Sequence, residues 1–272
     1  MARIAVDIDS TLYDFSTLAR EGFLRLARER GDDTLKRGAY HPWTEWRSPT
    51  DASGVQAFLD VLDYCHDNDV ILEQVPFRGS AETCQALASE GHDLLYISNR
   101  RVESTEATEQ WLKKWDFPLS EDEHELKCLM DEKRDHIADC QYIIDDRPRT
   151  VIDFVYDFDW ETKMREQANR IRRLGPDEGD PLYEEAMDAL GVCLDLYYAE
   201  KDNTEAFENL HAIQAEAAEA YISKTRRRAF VLAYPYNQNL TDIPHLYLAP
   251  TWAGLNDYLV GKGVLSKPAV LV

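Results

Sequence analysis

The sequence predicts an α/β fold with a doubly wound parallel sheet. Short apolar, β-prone runs alternate with stretches of helical spacing, which is the pattern of a parallel sheet with crossover helices. Apolar runs at 4–8, 94–97 and 142–144 each end in polar side chains. Ligands of open α/β sheets bind at the carboxyl ends of the strands. The three ends therefore predict one functional site at one edge of the sheet.

The first strand end carries two aspartates. Asp7 and Asp9 stand two residues apart, after Ile4-Ala5-Val6. Because side chains alternate along a strand, both carboxylates are predicted to project to the same side. Two such carboxylates at the end of an apolar strand indicate a bound cation. The alternative is a strand that runs into an ordinary polar turn.

The other two strand ends supply different chemistry. The run Leu94–Ile97 is followed by Ser98, Asn99 and Arg100, and the run Tyr142–Ile144 by Asp145 and Asp146. Lys133 lies between these two strands in the sequence. A hydroxyl, a lysine and a second aspartate pair are thus expected beside the first pair.

Composition limits the classes of ligand. Of 272 residues, 51 are acidic and 30 basic, a formal charge of −21. Proteins bind polymeric nucleic acid largely by neutralising phosphates with Lys and Arg, so a small molecule is the more easily accommodated ligand. We expect no membrane partner, since no apolar run approaches the ~20 residues of a transmembrane helix. The five cysteines lack CxxC spacing, and there is no signal-peptide pattern, so we expect a cytoplasmic protein.

The predicted core is interrupted twice. We assign 1–15, 76–158 and 228–272 to the catalytic core, 16–75 to a helical segment and 159–227 to a helical insertion. Helices are expected from an N-cap at Ser16 to Gly31, and from about Val55 to His66. In the insertion, amphipathic stretches around 181–200 and 204–223 leave apolar edges that must pack on the core, as a second lid, or on another subunit. Because the insertion follows the strand at 142–144 and not the first strand, we expect it to mediate a homodimer.

The strand ends together resemble the haloacid dehalogenase superfamily of phosphatases. The motifs of that superfamily are Asp-x-Asp-x-Thr, here Asp7 to Thr11, a strand ending in Ser or Thr, a lysine, and a strand ending in Asp-Asp. Lys133 is favoured over Lys127 as the lysine, because Lys127 opens a predicted strand. Ser10 departs from the glycine commonest at its place. The resemblance implies a HAD-like sheet and identifies 16–75 as a small helical cap.

The resemblance also implies the catalytic roles. Asp7 is expected to attack phosphorus and form an aspartyl-phosphate. Asp9 is expected to protonate the leaving oxygen and then to activate water. Ser98 would donate a hydrogen bond to a phosphoryl oxygen, and Lys133 would neutralise phosphoryl charge.

The expected cofactor is Mg²⁺, which prefers oxygen ligands. Asp7 and Asp145 would bind it directly, and Asp9 through its backbone carbonyl. Asp146 would be a further ligand, directly or through water.

Within the superfamily the chain resembles the 5′(3′)-deoxyribonucleotidases over 1–158 and 228–272. The resemblance is carried by residues 7–15, 76–79 and 111–112 and by Asn237, Pro250 and Trp252. It implies cap aromatics that stack on the nucleobase. The candidate substrate-binding residues are Thr11, Phe15, Tyr40, Trp43, Trp46, Asn99 and Arg100. Alternatively, the aromatic cluster at 40–46 is cap core and Arg100 is a solvated turn residue.

The sequence thus predicts a Mg²⁺-dependent phosphomonoesterase that hydrolyses nucleoside 5′-monophosphates. One alternative is a phosphatase that trims nucleic-acid ends, which the acidic composition disfavours. The other is a non-catalytic phosphate-binding or scaffold protein, which the presence of both Asp7 and Asp9 disfavours.

Overall fold

The computed structural model describes residues 1–38, 52–119, 126–129, 133–147, 150–151, 154–155, 227–235, 237–238, 240 and 245–269. Tyr40, Trp43 and Trp46 lie outside the described residues, as does nearly all of the predicted insertion at 159–227. The cap contacts of these aromatic residues and the homodimer therefore stay predictions. No helix among the described ranges is long and apolar enough to cross a membrane.

The sheet has six parallel strands in the order β3-β2-β1-β4-β5-β6. From the N-terminus these are β1 Arg3–Asp7, β2 Asp93–Ser98, β3 Leu126–Cys128, β4 Tyr142–Ile144, β5 Arg228–Leu232 and β6 Leu246–Ala249. The chain winds outward from β1 through β2 and β3, and then returns to the opposite side of β1 to form β4. The predicted doubly wound parallel sheet is confirmed.

The strand register aligns the three polar strand ends. Asp7 in β1 lies opposite Ile97 in β2, and Val6 lies opposite Ile144 in β4. Ser98 and Asp145, which come next on those strands, are therefore level with the end of β1. The functional site lies where the strand order reverses, as expected for an open α/β sheet.

Seven helices can be traced in the described ranges. They are α1 Phe15–Arg30, α2 Asp33–Gly38, α3 Ala52–Cys65, α4 Asn68–Glu73, α5 Ser80–Ser89, α6 Thr105–Lys114 and α7 Trp252–Gly261. Helices α1 to α4 fall between β1 and β2, within the segment predicted as the cap. Helix α1 ends at Gly31 as predicted, with φ 63°.

The predicted N-cap of α1, and with it the predicted start of the helix, was wrong by two residues. Asp14, not Ser16, is the N-cap, and its carboxylate accepts a hydrogen bond from the backbone N–H of Thr17 at 3.0 Å. Asp and Ser are comparable N-caps, so composition alone does not separate them. Asp14 is favoured because Tyr13 is still tied to Asp9 and Pro76 by β-bridges, which places the first helical residue at Phe15.

The core occupies both faces of the sheet. Ile4, Val6 and Tyr96 belong to one buried apolar cluster, and Ala5 and Leu95 belong to the other. All five side chains are fully inaccessible to solvent. A strand covered by helices on both faces is apolar at successive positions, which explains the continuous apolar runs that predicted the sheet.

Candidate active site

The loop that follows β1 is fixed by hydrogen bonds from three other parts of the chain. The Tyr234 hydroxyl donates to the Ser10 carbonyl at 2.6 Å, and the Trp252 indole N–H donates to the Thr11 carbonyl at 2.9 Å. The Phe77 N–H donates to the Leu12 carbonyl at 2.7 Å. Ser10 has φ 63°, in the left-handed region that favours glycine. Ser10 therefore adopts the backbone conformation of the glycine that the resemblance leads us to expect at this place.

One group of site residues surrounds Asp7. The Lys133 ammonium donates to the Asp7 carboxylate, and to Asp145 Oδ2 at 3.0 Å. The Thr11 hydroxyl lies 3.0 Å from Asp7 Oδ2 and 3.3 Å from Asp146 Oδ1. All five residues are buried. We call Asp7, Thr11, Lys133, Asp145 and Asp146 the carboxylate cluster.

The carboxylate cluster carries more negative than positive charge. Burial raises the pKa of Asp7 well above its usual range; Lys133 opposes this rise, while Asp145 and Asp146 add to it. Burial disfavours the charged form of Lys133, but Asp145 and Asp7 outweigh it and raise the pKa of the ammonium. Lys133 therefore stays cationic, and a single cation faces three carboxylates.

These three carboxylates suit a metal ion. Asp7, Asp145 and Asp146 each offer an oxygen, and the three oxygens lie within 4.8 Å of one another. Buried carboxylate oxygens are the donors that hard divalent cations prefer. The donor set and the excess negative charge both fit a divalent cation.

Asp9 belongs to a second, separate group. Its carboxylate accepts hydrogen bonds from Tyr13 at 2.6 Å and from Ser98 at 2.7 Å. The Arg100 guanidinium donates to the same carboxylate through Nη2 at 2.9 Å and Nε at 3.2 Å. Arg100 also donates to Thr108 Oγ1 at 2.8 Å. We call Asp9, Tyr13, Ser98, Arg100 and Thr108 the arginine cluster.

The arginine cluster holds Asp9 in its ionised form. Burial alone would raise the pKa of Asp9, but the Arg100 guanidinium overrides it and lowers this pKa far below the ordinary value of 3.8. The Arg100 side chain is fully buried, whereas that of Asp9 is 20% exposed. The Asp9 carboxylate is thus ionised and partly accessible to solvent.

Proteins of known sequence show similarity to this chain. A Bacillus cereus protein named "Putative nucleotidase" is 36% identical over 153 residues, which cover 54% of this chain and 77% of that protein. An Oceanobacillus iheyensis protein of the same description is 27% identical over 181 residues, covering 64% of this chain and 92% of that protein. These relatives and the four assembled motifs decide the family. The chain belongs to the family of these putative nucleotidases. Its four assembled motifs resemble those of the haloacid dehalogenase superfamily of phosphatases.

Family models and solved structures give no further support for the assignment of the family. No family model matches the chain. A crystal structure of a HAD family hydrolase from Deinococcus radiodurans R1, with bound phosphate and sodium, aligns over 99% of both chains at 14% identity, with a TM-score of 0.46.

The remaining predicted residues lie around the two clusters of the phosphatase. Asn99 is exposed at the end of β2. Phe15 is 3% exposed and contacts the rings of Tyr13 and His66. Arg100 was predicted as a substrate ligand, but its guanidinium binds the protein groups of the arginine cluster. Substrate contacts by Phe15, Asn99 and Arg100 stay predictions.

Several supporting residues of the phosphatase were not assigned roles from the sequence. The Asn237 side-chain amide donates to the Asp146 carbonyl and to the Leu232 carbonyl, each at 2.8 Å, and its oxygen accepts from the Tyr234 N–H at 2.7 Å. The Arg147 N–H donates to Asp145 Oδ1 at 2.8 Å. Tyr13 and Thr108 complete the arginine cluster. The signals in the sequence were the i, i+4 spacing of Asp9 and Tyr13 and the place of Asn237 among the residues that carry the family resemblance.

Proposed function

We propose that this phosphatase hydrolyses nucleoside 5′-monophosphates, deoxyribonucleotides among them, through an aspartyl-phosphate and with Mg²⁺. The observation that carries the mechanism is the contact of the Asp7 carboxylate with Lys133, beside Asp145 and Asp146. The substrate class is supported by the nucleotidase names of the two relatives. The acidic composition agrees with a small ester as substrate.

Asp7 is the proposed nucleophile. Its carboxylate oxygen bonds to phosphorus while the ester P–O bond breaks, and the leaving oxygen departs with the bonding electrons. Lys133 and the Thr11 hydroxyl hold both oxygens of Asp7, so little reorientation is needed before attack. Lys133 also neutralises charge on the phosphoryl oxygens.

Asp9 is the proposed proton-transfer residue. In the second half of the reaction, water attacks phosphorus, the acyl-phosphate P–O bond breaks, and the Asp9 carboxylate takes the proton of the water. Arg100 keeps Asp9 ionised, but a carboxylate of such low pKa is a weak base, so Asp9 has to leave Arg100 before it takes this proton. In the first half, Asp9 has to carry a proton for the leaving oxygen. We propose that rotation of Asp9 away from Arg100 allows it to do so.

Asp7, Asp145 and Asp146 are the residues that would hold Mg²⁺. When bound, the metal would supply positive charge to the phosphoryl oxygens. Because the Asp9 side chain is paired with Arg100, Asp9 would bind the metal through its backbone carbonyl.

A mononucleotide panel tests this function directly. Phosphate release from the deoxyribonucleoside and ribonucleoside 5′-monophosphates should exceed release from a sugar phosphate by about tenfold or more in kcat/KM, because only the nucleotides offer a base for recognition. Chelation with EDTA should lower the rate by about a hundredfold or more, since metal stabilisation is worth several kcal/mol. Added Mg²⁺ should restore it. Full activity in EDTA would contradict the metal, and preference for the sugar phosphate would contradict the substrate class.

Substrate size gives a second test. We expect kcat/KM for a mononucleotide to exceed that for the 5′-phosphate of a single-stranded oligonucleotide by about tenfold or more, since a chain of charge −21 repels a polyanion. Salt screens such repulsion, so the difference should shrink between 20 mM and 300 mM NaCl. Equal values at both salt concentrations would favour the end-trimming phosphatase instead.

A further inference from the structure

A cavity of about 480 Å³ lies at the carboxyl ends of β5 and β6, beside the loop that follows β1. Phe77, Tyr234 and Trp252 contribute to its wall, and the rest of the described lining is mostly aliphatic. No member of the carboxylate cluster or the arginine cluster is among the described lining residues. The described lining is therefore separate from the residues of the proposed catalytic centre.

The loop after β1 separates the cavity from the carboxylate cluster. Thr11 directs its hydroxyl to Asp7 and its carbonyl to the Trp252 indole. The neighbouring Ser10 carbonyl accepts the hydrogen bond of the Tyr234 hydroxyl. One side of this short loop thus faces the catalytic carboxylates, and the other side is held by two aromatic residues of the cavity wall.

The lining indicates the chemistry of a ligand. Ligand sites have volumes of ~300–1,000 Å³, with apolar walls and a few polar groups. The aromatic side chains of the lining can stack on a planar ring of the ligand or contact it edge to face. The charged residues of the lining are Arg78 and Asp14, both exposed, so the described lining has no net charge. A neutral heteroaromatic molecule fits this set better than a phosphate ester does.

We propose that this cavity is an effector site for a nucleoside. Its planar base would lie against the aromatic wall, with hydrogen bonds to Arg78 and Asp14. The choice of a nucleoside among heteroaromatic molecules rests on the proposed function, because a nucleoside is the second product of nucleotide hydrolysis. Since Tyr234 and Trp252 both line the cavity and hold the catalytic loop, occupancy changes kcat without blocking the catalytic centre.

Direct binding is the first measurement. The four common deoxyribonucleosides are titrated separately into the full-length protein by isothermal titration calorimetry, without phosphate ester. Ala253 lines the cavity on α7 and is exposed at its surface, so Ala253→Trp fills the cavity from its edge. At least one nucleoside should bind, and Ala253→Trp should weaken that binding about tenfold or more. Asp257→Trp, one turn further along α7 and exposed, should bind as the wild type does.

A second variant tests the site in case Ala253→Trp does not fold. Arg78→Ala removes an exposed side chain, so it should keep the fold, and it should weaken nucleoside binding about threefold or more because guanidinium donors are lost. Circular dichroism checks both cavity variants. Unchanged binding in a folded Ala253→Trp and in Arg78→Ala, or no binding to the wild type, would overturn the effector site.

Kinetics with p-nitrophenyl phosphate separate the effector site from the catalytic centre. This ester lacks a nucleobase, so its hydrolysis does not depend on the proposed substrate class. The bound nucleoside should change kcat at saturating ester, and Ala253→Trp should remove that effect. Purely competitive inhibition that persists in Ala253→Trp would place the nucleoside at the catalytic centre and overturn the inference. Failure to hydrolyse mononucleotides would overturn the proposed function alone.

Discussion

Asp7→Asn is expected to lower kcat for phosphate release by about a thousandfold or more while leaving the fold intact. An amide is a far weaker nucleophile than a carboxylate and cannot form the aspartyl-phosphate. Asparagine has nearly the same shape, and Lys133 keeps its contact with Asp145 at 3.0 Å. The loss should therefore be chemical. Phosphate release at saturating nucleotide measures kcat, and the thermal transition measures the fold.

The matched control for this experiment is Asp257→Asn, which makes the same change at an exposed position of α7. It should leave kcat within about twofold. The covalent intermediate itself can be examined by adding methanol as a second acceptor. If two esters with different leaving groups react through the same aspartyl-phosphate, both should give the same ratio of methyl phosphate to inorganic phosphate. Turnover by Asp7→Asn above that of a mock purification would contradict the nucleophile.

The positions of the catalytic groups follow from local sequence because strand ends are local features. The runs before Asp7, Ser98 and Asp145 are apolar at successive positions, which is typical of strands covered on both faces. Parallel strands bring their carboxyl ends to one edge, so the side chains that follow them meet there. Lys133 was chosen over Lys127 because Lys127 opens a predicted strand. The structure places Lys133 in contact with Asp7 and Lys127 within β3.

The partners of Asp9 could not be predicted in the same way. Alternation along β1 predicted Asp7 and Asp9 on one side, but the chain leaves the sheet at Ile8, and the two carboxylates join different clusters. That separation depends on Arg100, which follows a different strand and reaches Asp9 across 91 positions of sequence. The sequence does not reveal which arginine pairs with Asp9, because Arg100 and Arg101 are adjacent and have the same side chain. In the fold, Arg100 is buried and Arg101 is exposed, with Asp63 as its partner.

Replacing Arg100 should therefore have a large effect that replacing Arg101 does not. Arg100→Met removes the cation from a pair in which the arginine is fully buried and the aspartate is 20% exposed. Breaking a buried pair by removing one partner typically costs about 3–5 kcal/mol. Since water reaches part of Asp9, we expect a loss of about 3 kcal/mol in the free energy of unfolding, measured with urea at neutral pH. Loss of the ordered Asp9 geometry should also lower kcat by about a hundredfold.

A double-mutant cycle shows whether this loss comes from the pair itself. Asp9→Asn leaves a buried guanidinium facing a neutral amide, so it too should be destabilising. The combination of Arg100→Met with Asp9→Asn should cost less than the sum of the single changes, with a coupling of at least about 1 kcal/mol. The matched control is the same cycle on Arg101 and Asp63, whose side chains are 52% and 50% exposed. Exposed pairs contribute no more than about 1 kcal/mol, so this second coupling should be smaller. If the two couplings were equal, Arg100 would act through packing alone and would not hold the Asp9 carboxylate by charge.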